Sequence, residues 1–384
     1  MVRRVLRVLI PTLAVATGAH FVFQRFYECG DNSSDHAAHL DFIRKGTIPI
    51  YPLYHFSVQA LAGWDNQNLV KSAPVVLTLA VTAVAALSAA YLAARTRATT
   101  FTLTVVCLIL SVVMPLPTIQ FFRDFSTFYW DSPSPPGSGI FLGQITPNVW
   151  HNPTTIFAMP FAVAAYWAAV SALDNFSMRS AVVLGVTMVL SLLAKPNYVL
   201  AMLPCLGLAL AAKPMSLVDK IMRLFVVFVL PLVVLWGQAA VLVGPKGSTS
   251  EEMLIAPFDI WQRFSKNITV SSFVGVVFPL CVLFAYRGRF DGETPLKFAW
   301  VVLGMSVLEY SLLKESGERA TAGNWFWGTV FADHILFLAS CEYLLRQRLD
   351  LRKVACWFVL LLHVGTGGVN LAKCLIDPPW SLFF

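Results

Sequence analysis

VLRVLIPTLAVATGAHFVF, Val5 to Phe23, is the stretch whose reading decides the fold. It follows Arg3 and Arg4, carries Arg7 as its one formal charge, and is otherwise mostly apolar. A helix of roughly 20 such residues crosses a hydrocarbon core about 30 Å thick. The stretch lacks a clear small-x-small cleavage pattern and runs on into a polar, aromatic loop, so it reads as a retained span, not a removable leader.

The same signal recurs near 72–94, 100–117, 154–173, 180–194, 197–212, 224–243, 271–286, 298–313, 327–345 and 354–372. Within hydrocarbon every backbone N–H and C=O must be paired inside its own element, which makes such spans helices. Apolar residues make up 57% of the 384 and charged residues only 13%, with a mean hydropathy of +0.68. That balance excludes a soluble enzyme. The expected fold is all-α, a single integral membrane domain over 1–384, built as a polytopic transmembrane helical bundle of about 11 spans whose long outer loops carry short helices.

Lys and Arg set the orientation, because short cytoplasmic loops retain them. With the N-terminus in the cytoplasm, the inner connections hold Arg95, Arg97, Arg179, Lys213, Lys220, Arg223, Arg287, Arg289, Lys297, Arg346, Arg348, Arg352 and Lys353. The net charge of +7 is then a record of topology and not a nucleic-acid footprint; the expected partner is the lipid bilayer. Cys107, Cys205, Cys281, Cys341 and Cys356 fall in spans, where cysteine serves as a small hydrophobe. Cys29 and Cys374 fall near the outer face, and nothing in their spacing demands a disulfide. No C-x-x-C or H-E-x-x-H pattern marks a metal site.

The outer segments, near 24–71, 118–153, 244–270 and 314–326, are long and keep aromatic and apolar residues, as functional or packed loops do. One ends in GQITPNVWHNPTT, Gly143 to Thr155, which sets His151, Trp150 and the amides Asn148 and Asn152 at the mouth of a span. Trp150 suits stacking on a sugar ring, and His151 suits contact with a phosphate or an acceptor. A tryptophan and a Pro153 helix start are equally ordinary at a membrane interface.

In the first outer segment, ECGDNSSDHAAHLDFIRKGTIPIYPLYHF, Asp31, Ser33 and Ser34 can each cap a short helix. On it Asp31, Asp35 and His39 share one face, Phe42 and Ile43 turn the other way, and the helix lies flat with its polar side to solvent. Asp35 beside His36 and His39 suits general-base work on an acceptor hydroxyl. It equally suits a divalent cation, magnesium or manganese, that neutralises a phosphate leaving group. The plainer alternative is a solvated first turn whose acids favour the helix dipole. Asp41 is expected to pair with Arg44 or Lys45.

LLAKPNYVL interrupts two short spans at Pro196 and puts Lys195 at the outer surface, as a phosphate contact or as a snorkelling lysine. KESGERATAGNWFWG groups Glu318 and Arg319 with Asn324, Trp325 and Trp327; the Glu318–Arg319 pair either faces substrate or forms a loop ion pair. Asp333 and His334, inside the tenth span, make a proton relay or a structural hydrogen bond.

An Asp-His pair in the first outer loop, long outer loops between many spans and a Lys-Pro span break together resemble the GT-C class of membrane glycosyltransferases. GQITPNVWHNPTT, LLAKPNYVLAMLP and GERATAGNWFWG in combination are similar to a bacterial group of that class. The likeness covers most of the chain in hydropathy and a few short segments in motif.

The resemblance implies a polyprenyl-phosphate-linked sugar as donor and a cell-envelope glycan or glycolipid as acceptor. Transfer would occur on the extracytoplasmic face of the bacterial cytoplasmic membrane. It implies Asp35 as base, or Asp31 or Asp41 in its place, with His36 and His39 in support. Lys195, His151 and Arg319 would lie near the donor phosphate, Trp150 and Trp325 would stack on sugar, and Asn152, Glu318 and Asn324 would line the substrate site. The first loop lacks the paired Asp-Glu of the protein-mannosylating and oligosaccharyl-transferring members, and no sizeable soluble C-terminal domain is present, so neither metal dependence nor a protein acceptor follows. Two rivals stand beside this reading. A lipid-linked polysaccharide polymerase or ligase would rely on outer-loop arginines, and a transporter or flippase on charges and broken helices near the midplane.

Overall fold

Apolar stretches that must satisfy their own backbone coil into helices, and helices supply nearly all of the regular structure. The structure, a computed structural model, describes residues 2–28, 35–47, 49–116, 143–214, 216–243, 252–265, 267–290, 292–317 and 320–376. In chain order the helices are α1 (Val2–Glu28), α2 (Asp35–Lys45), α3 (Leu53–Leu61), α4 (Leu69–Arg95), α5 (Thr100–Val112), α6 (Pro153–Asp174), α7 (Met178–Ala194) and α8 (Asn197–Ala211). They continue as α9 (Leu217–Val243), α10 (Asp259–Phe264), α11 (Ile268–Gly275), α12 (Val277–Ala285), α13 (Thr294–Leu312), α14 (Phe326–Arg346) and α15 (Leu351–Ile376). Two three-residue strands, β1 (Met253–Ile255) and β2 (Leu313–Glu315), pair antiparallel with Leu254 opposite Lys314.

Each stretch expected as a span carries a helix, but length divides them. Among the described residues six helices, α1, α4, α6, α9, α14 and α15, are long and apolar enough to cross a membrane; α11 with α12, bent by 70°, would make a seventh. At 13, 17 and 15 residues, α5, α7 and α8 reach roughly 20–26 Å at about 1.5 Å per residue, short of a hydrocarbon core.

Burial sorts the long helices. The apolar window of α14 is 94% buried and that of α6 78%, whereas α9 is only 17% buried. So α6 and α14 form the centre, and α9 shows an apolar surface outward, as a lipid-facing helix does. Around the centre, α4 packs on α1 and α6, α7 on α6 and α9, and α13 on α8 and α14. At one end Arg95, closing α4, meets Asp174 at the end of α6 (3.2 Å) and Glu342 in α14 (3.3 Å). Arg346 also takes Glu342 (2.8 Å) and pairs with Glu293 just before α13. Glu342 is buried, and two guanidiniums offset the loss of its hydration. This end gathers the connections rich in Lys and Arg. The starts of α6, α8 and α14 and the end of α1 lie at the other.

At that second end, residues 143–152 run through the protein as buried, irregular chain. Such backbone persists only when neighbours satisfy its polar groups. Asn148 Nδ2 donates to the carbonyls of Leu110 and Val113, both at 2.9 Å, and Trp261 Nε1 donates to the Gly143 carbonyl at 3.0 Å. His334 Nδ1 donates to the Pro147 carbonyl at 3.2 Å. Two glycines permit the close approach. A Cβ on Gly275 would lie 2.2 Å from the Ile145 carbonyl oxygen, and one on Gly143 would lie 2.3 Å from that of Phe264.

Candidate active site

Asn152 closes that irregular segment and caps α6. Its Oδ1 accepts from the Thr155 N–H at 2.9 Å, and Pro153 follows at the first helical position, where its missing N–H costs nothing. With the oxygen committed to the cap, the amide nitrogen is fixed in direction, and Nδ2 donates to Asp35 Oδ2 at 2.7 Å. Asp35 itself opens α2 and is half-buried.

Lys195 reaches the same amide from the opposite side. Pro196 disfavours helical backbone before it, so Lys195 adopts an extended conformation between α7 and α8. Its Nζ donates to Asn152 Oδ1 (3.1 Å), Thr154 Oγ1 (3.1 Å) and Thr155 Oγ1 (2.8 Å). Trp327 covers it, with its ring centroid 4.3 Å from Nζ, and Tyr51 stands at 6.0 Å. The sequence places Lys195 at the outer surface; in the structure it is only 3% exposed. Three oxygen acceptors and an aromatic face replace its water, which makes the burial tolerable. Burial lowers its pKa to about 7, and the neighbouring Asp35 carboxylate pulls the other way.

The helix α2 departs from expectation too. The face that carries His39 does not turn to solvent: His36, His39, Leu40 and Ile43 are buried, and Phe42 is exposed beside Arg44 and Lys45. The imidazoles go inside because each finds a partner there. A carbonyl only accepts, so His36 Nε2 donates to the Trp150 carbonyl at 2.9 Å, and His36 Nδ1 accepts from the Tyr27 hydroxyl at 3.0 Å. Tyr54 OH stands 3.4 Å behind Tyr27 OH. His39 Nδ1 shares a hydrogen bond with His55 Nε2 at 3.0 Å. Burial lowers the pKa of His36 and of His55 to about 4 and that of His39 well below the usual range. His151, buried and next to Lys195, falls to about 3. Burial thus holds all four imidazoles toward the neutral form near pH 7.

Of the residues singled out by sequence, Asp35, His36, His39, Trp150, His151, Asn152 and Lys195 come together. Trp150 contributes its carbonyl, while its ring is buried 5.9 Å from that of Phe23. The His151 ring lies 5.8 Å from Trp327. Asn324 is one step away: it donates to Glu315 Oε2 (2.6 Å) and accepts from Asn197 Nδ2 (2.8 Å), tying the approach to α14 to the start of α8. Trp325, next to it, is half-buried. Asp31, Glu318 and Arg319 lie outside the described residues. Asp41 pairs with Lys45 at 2.6 Å and takes no part. Among the described residues no group of three His, Cys, Asp or Glu is arranged to hold a metal ion. Tyr27, Tyr51, Tyr54, His55, Thr154, Thr155 and the covering ring of Trp327 join the site beyond the residues that the sequence points to; the aromatic run IPIYPLYHF after α2 carries a local signal for three of them.

An apolar crevice begins beside this polar cluster. Trp150, Thr155, Ile156 and Met159 wall it together with Val15 and Val81. Through Val15, Val81, Ser111 and Trp150 it continues into a cleft of about 330 Å³ against α5 and α15. Thr155 thus belongs both to the crevice wall and to the cage of Lys195. Compared with known protein families, curated proteins and solved structures, the chain matches none.

Proposed function

We propose that this protein is a membrane glycosyltransferase of GT-C type that moves a sugar from a polyprenyl phosphate to a glycan or lipid acceptor of the cell envelope. The observation that carries the reading is the chain Asp35–Asn152–Lys195, an acid and an amine held by one amide at the edge of an apolar crevice. A lipid-phosphate donor makes the same demand: a hydrocarbon tail needs a crevice, and an anionic head needs positive charge where the crevice ends. Lys195 and the N-terminal end of the α6 dipole supply that charge. Asp35, open to one side, takes the proton of the acceptor hydroxyl as its oxygen bonds to the anomeric carbon. The bond from that carbon to the phosphate oxygen breaks, and polyprenyl phosphate leaves as the anion. A single carboxylate suffices for such a displacement. On this reading the N-terminus is cytoplasmic and the site extracytoplasmic, and the shorter helices complete the 11 passes read from sequence.

The test is liposomes holding the purified protein, polyprenyl-phosphate sugars and glycan acceptors. Polyprenyl phosphate should be released in step with sugar transferred. If no such donor binds or turns over, the reading falls. A transporter is the second reading, favoured by Asp333, which is fully buried in α14 with neither carboxylate oxygen partnered among the described residues. That reading predicts flux lost in Asp333→Asn and kept in Asp35→Asn.

A further inference from the structure

A second cavity sits at the opposite end of the bundle, roughly 30 Å from Asn152 along the 22 residues of α6. It holds about 470 Å³ between α4, α6 and α7. Leu87, Trp167 and Ala168 line its depth, Val183 stands at its open side, and Ser177 and Arg179 stand at its mouth at the start of α7. Arg179 is exposed and has no acidic partner among the described residues. Arg223, on α9, lies close by with its guanidinium 4.3 Å from the ring of Phe176, and it too lacks an acidic partner among them. Arg95 and Arg346, at this same end, are by contrast neutralised by acids, Asp174 and Glu342 for the first and Glu342 and Glu293 for the second.

The cavity therefore joins uncompensated positive charge to an apolar slot. A soluble anion has no use for Trp167 and Leu87, and a neutral lipid leaves the charge of Arg179 unanswered. We propose that this cavity binds an anionic phospholipid, with its phosphodiester at Arg179 and the first turn of α7 and an acyl chain along Trp167. Basic pockets between membrane helices take such headgroups, and the helix dipole adds to the attraction. The site lies a full helix length from Asp35 and stands or falls independently of the proposed chemistry.

The experiment is native mass spectrometry of the full-length protein with phosphatidylglycerol or phosphatidylcholine added in mild detergent. Wild type should retain phosphatidylglycerol severalfold over phosphatidylcholine. Arg179→Gln should cut that preference roughly fivefold, the effect of one surface charge. Val183→Trp, which fills the slot and leaves the charge, should lower retention of both lipids. Both positions are exposed, so each variant should elute as wild type does. Equal retention of the two lipids by wild type, or unchanged preference in both variants, would overturn the proposal. So would displacement by millimolar inorganic phosphate, which would make this a bare anion site.

Discussion

Lys195 and Asp35 meet through one side chain: Asn152 accepts from Lys195 Nζ at 3.1 Å on its oxygen and donates to Asp35 at 2.7 Å from its nitrogen. Neither charged group can shift without turning the amide, and the amide cannot turn without uncapping α6. The acid that would take a proton and the amine that would hold a phosphate are therefore set at a fixed separation by a helix cap.

That coupling separates two substitutions. Asn152→Ala removes both cap and link, and should cost about 1 kcal/mol of stability along with transfer. Asn152→Ser keeps a capping oxygen but cannot reach Asp35, so it should unfold close to wild type and still lose transfer. Thermal unfolding in detergent beside a transfer assay reads both; a fully active serine variant would mean that the Asp35–Asn152 bond has no role.

A pKa near 7 makes Lys195 a pH-dependent anion site. The polyprenyl-phosphate sugar is a diester whose charge is constant from pH 6 to 9, so any change in its binding reports the protein. Affinity should fall as pH rises through about 7 and Lys195 gives up its proton. In Lys195→Met it should be weak and flat. Titration of donor binding at several pH values decides this.

Acid should unfold the site from within. His36 and His55 are held near 4 and His151 near 3, whereas in the unfolded chain they titrate around 6.5. Between those values the unfolded state binds more protons, so stability drops as pH falls from 6.5 toward 4. Lys195 acts in the same sense at higher pH, adding stability as pH rises from 7 to 10.5. The unfolding temperature should decline over the acid window, and less steeply in His55→Gln.

Gly275 tests the route by which the site is positioned. A methyl there would meet the Ile145 carbonyl at 2.2 Å, and the contact is with backbone, which has nowhere to rotate. Gly275→Ala should destabilise by roughly 1–3 kcal/mol, as overpacking does, and displace the segment that carries Trp150 to Asn152. Reduced transfer with a lowered unfolding temperature is the expected pair of results. Gly304→Ala, where a Cβ meets nothing, is the matched control.

What the sequence could disclose was set by range. Hydropathy and the Lys/Arg-rich connections are local, and each apolar stretch did become a helix with the basic turns collected at one end. Pro153 as a helix start is a local signal, and α6 begins there with Asn152 as its cap. The failures were non-local. Asp35 and Asn152 are 117 residues apart, and His36 and Trp150 114, so nothing in either segment tells that the α2 histidines have partners waiting inside. Lys195 looked surface-bound for the same reason: its three acceptors lie about 40 positions upstream. Span number is not legible from hydropathy alone at α5, α7 and α8, where apolar character is complete but length falls short of roughly 20 residues.

The central claim rests on Asp35 as the group that activates the acceptor. Sugar transfer from polyprenyl-phosphate donors should be compared for wild type and Asp35→Asn at equal expression and equal donor binding. Removal of a general base slows a reaction about 10²–10⁴-fold. A loss of that size with donor binding intact is the predicted result. Transfer at the wild-type rate in Asp35→Asn would contradict the account, because no other described carboxylate is joined to Lys195 through Asn152.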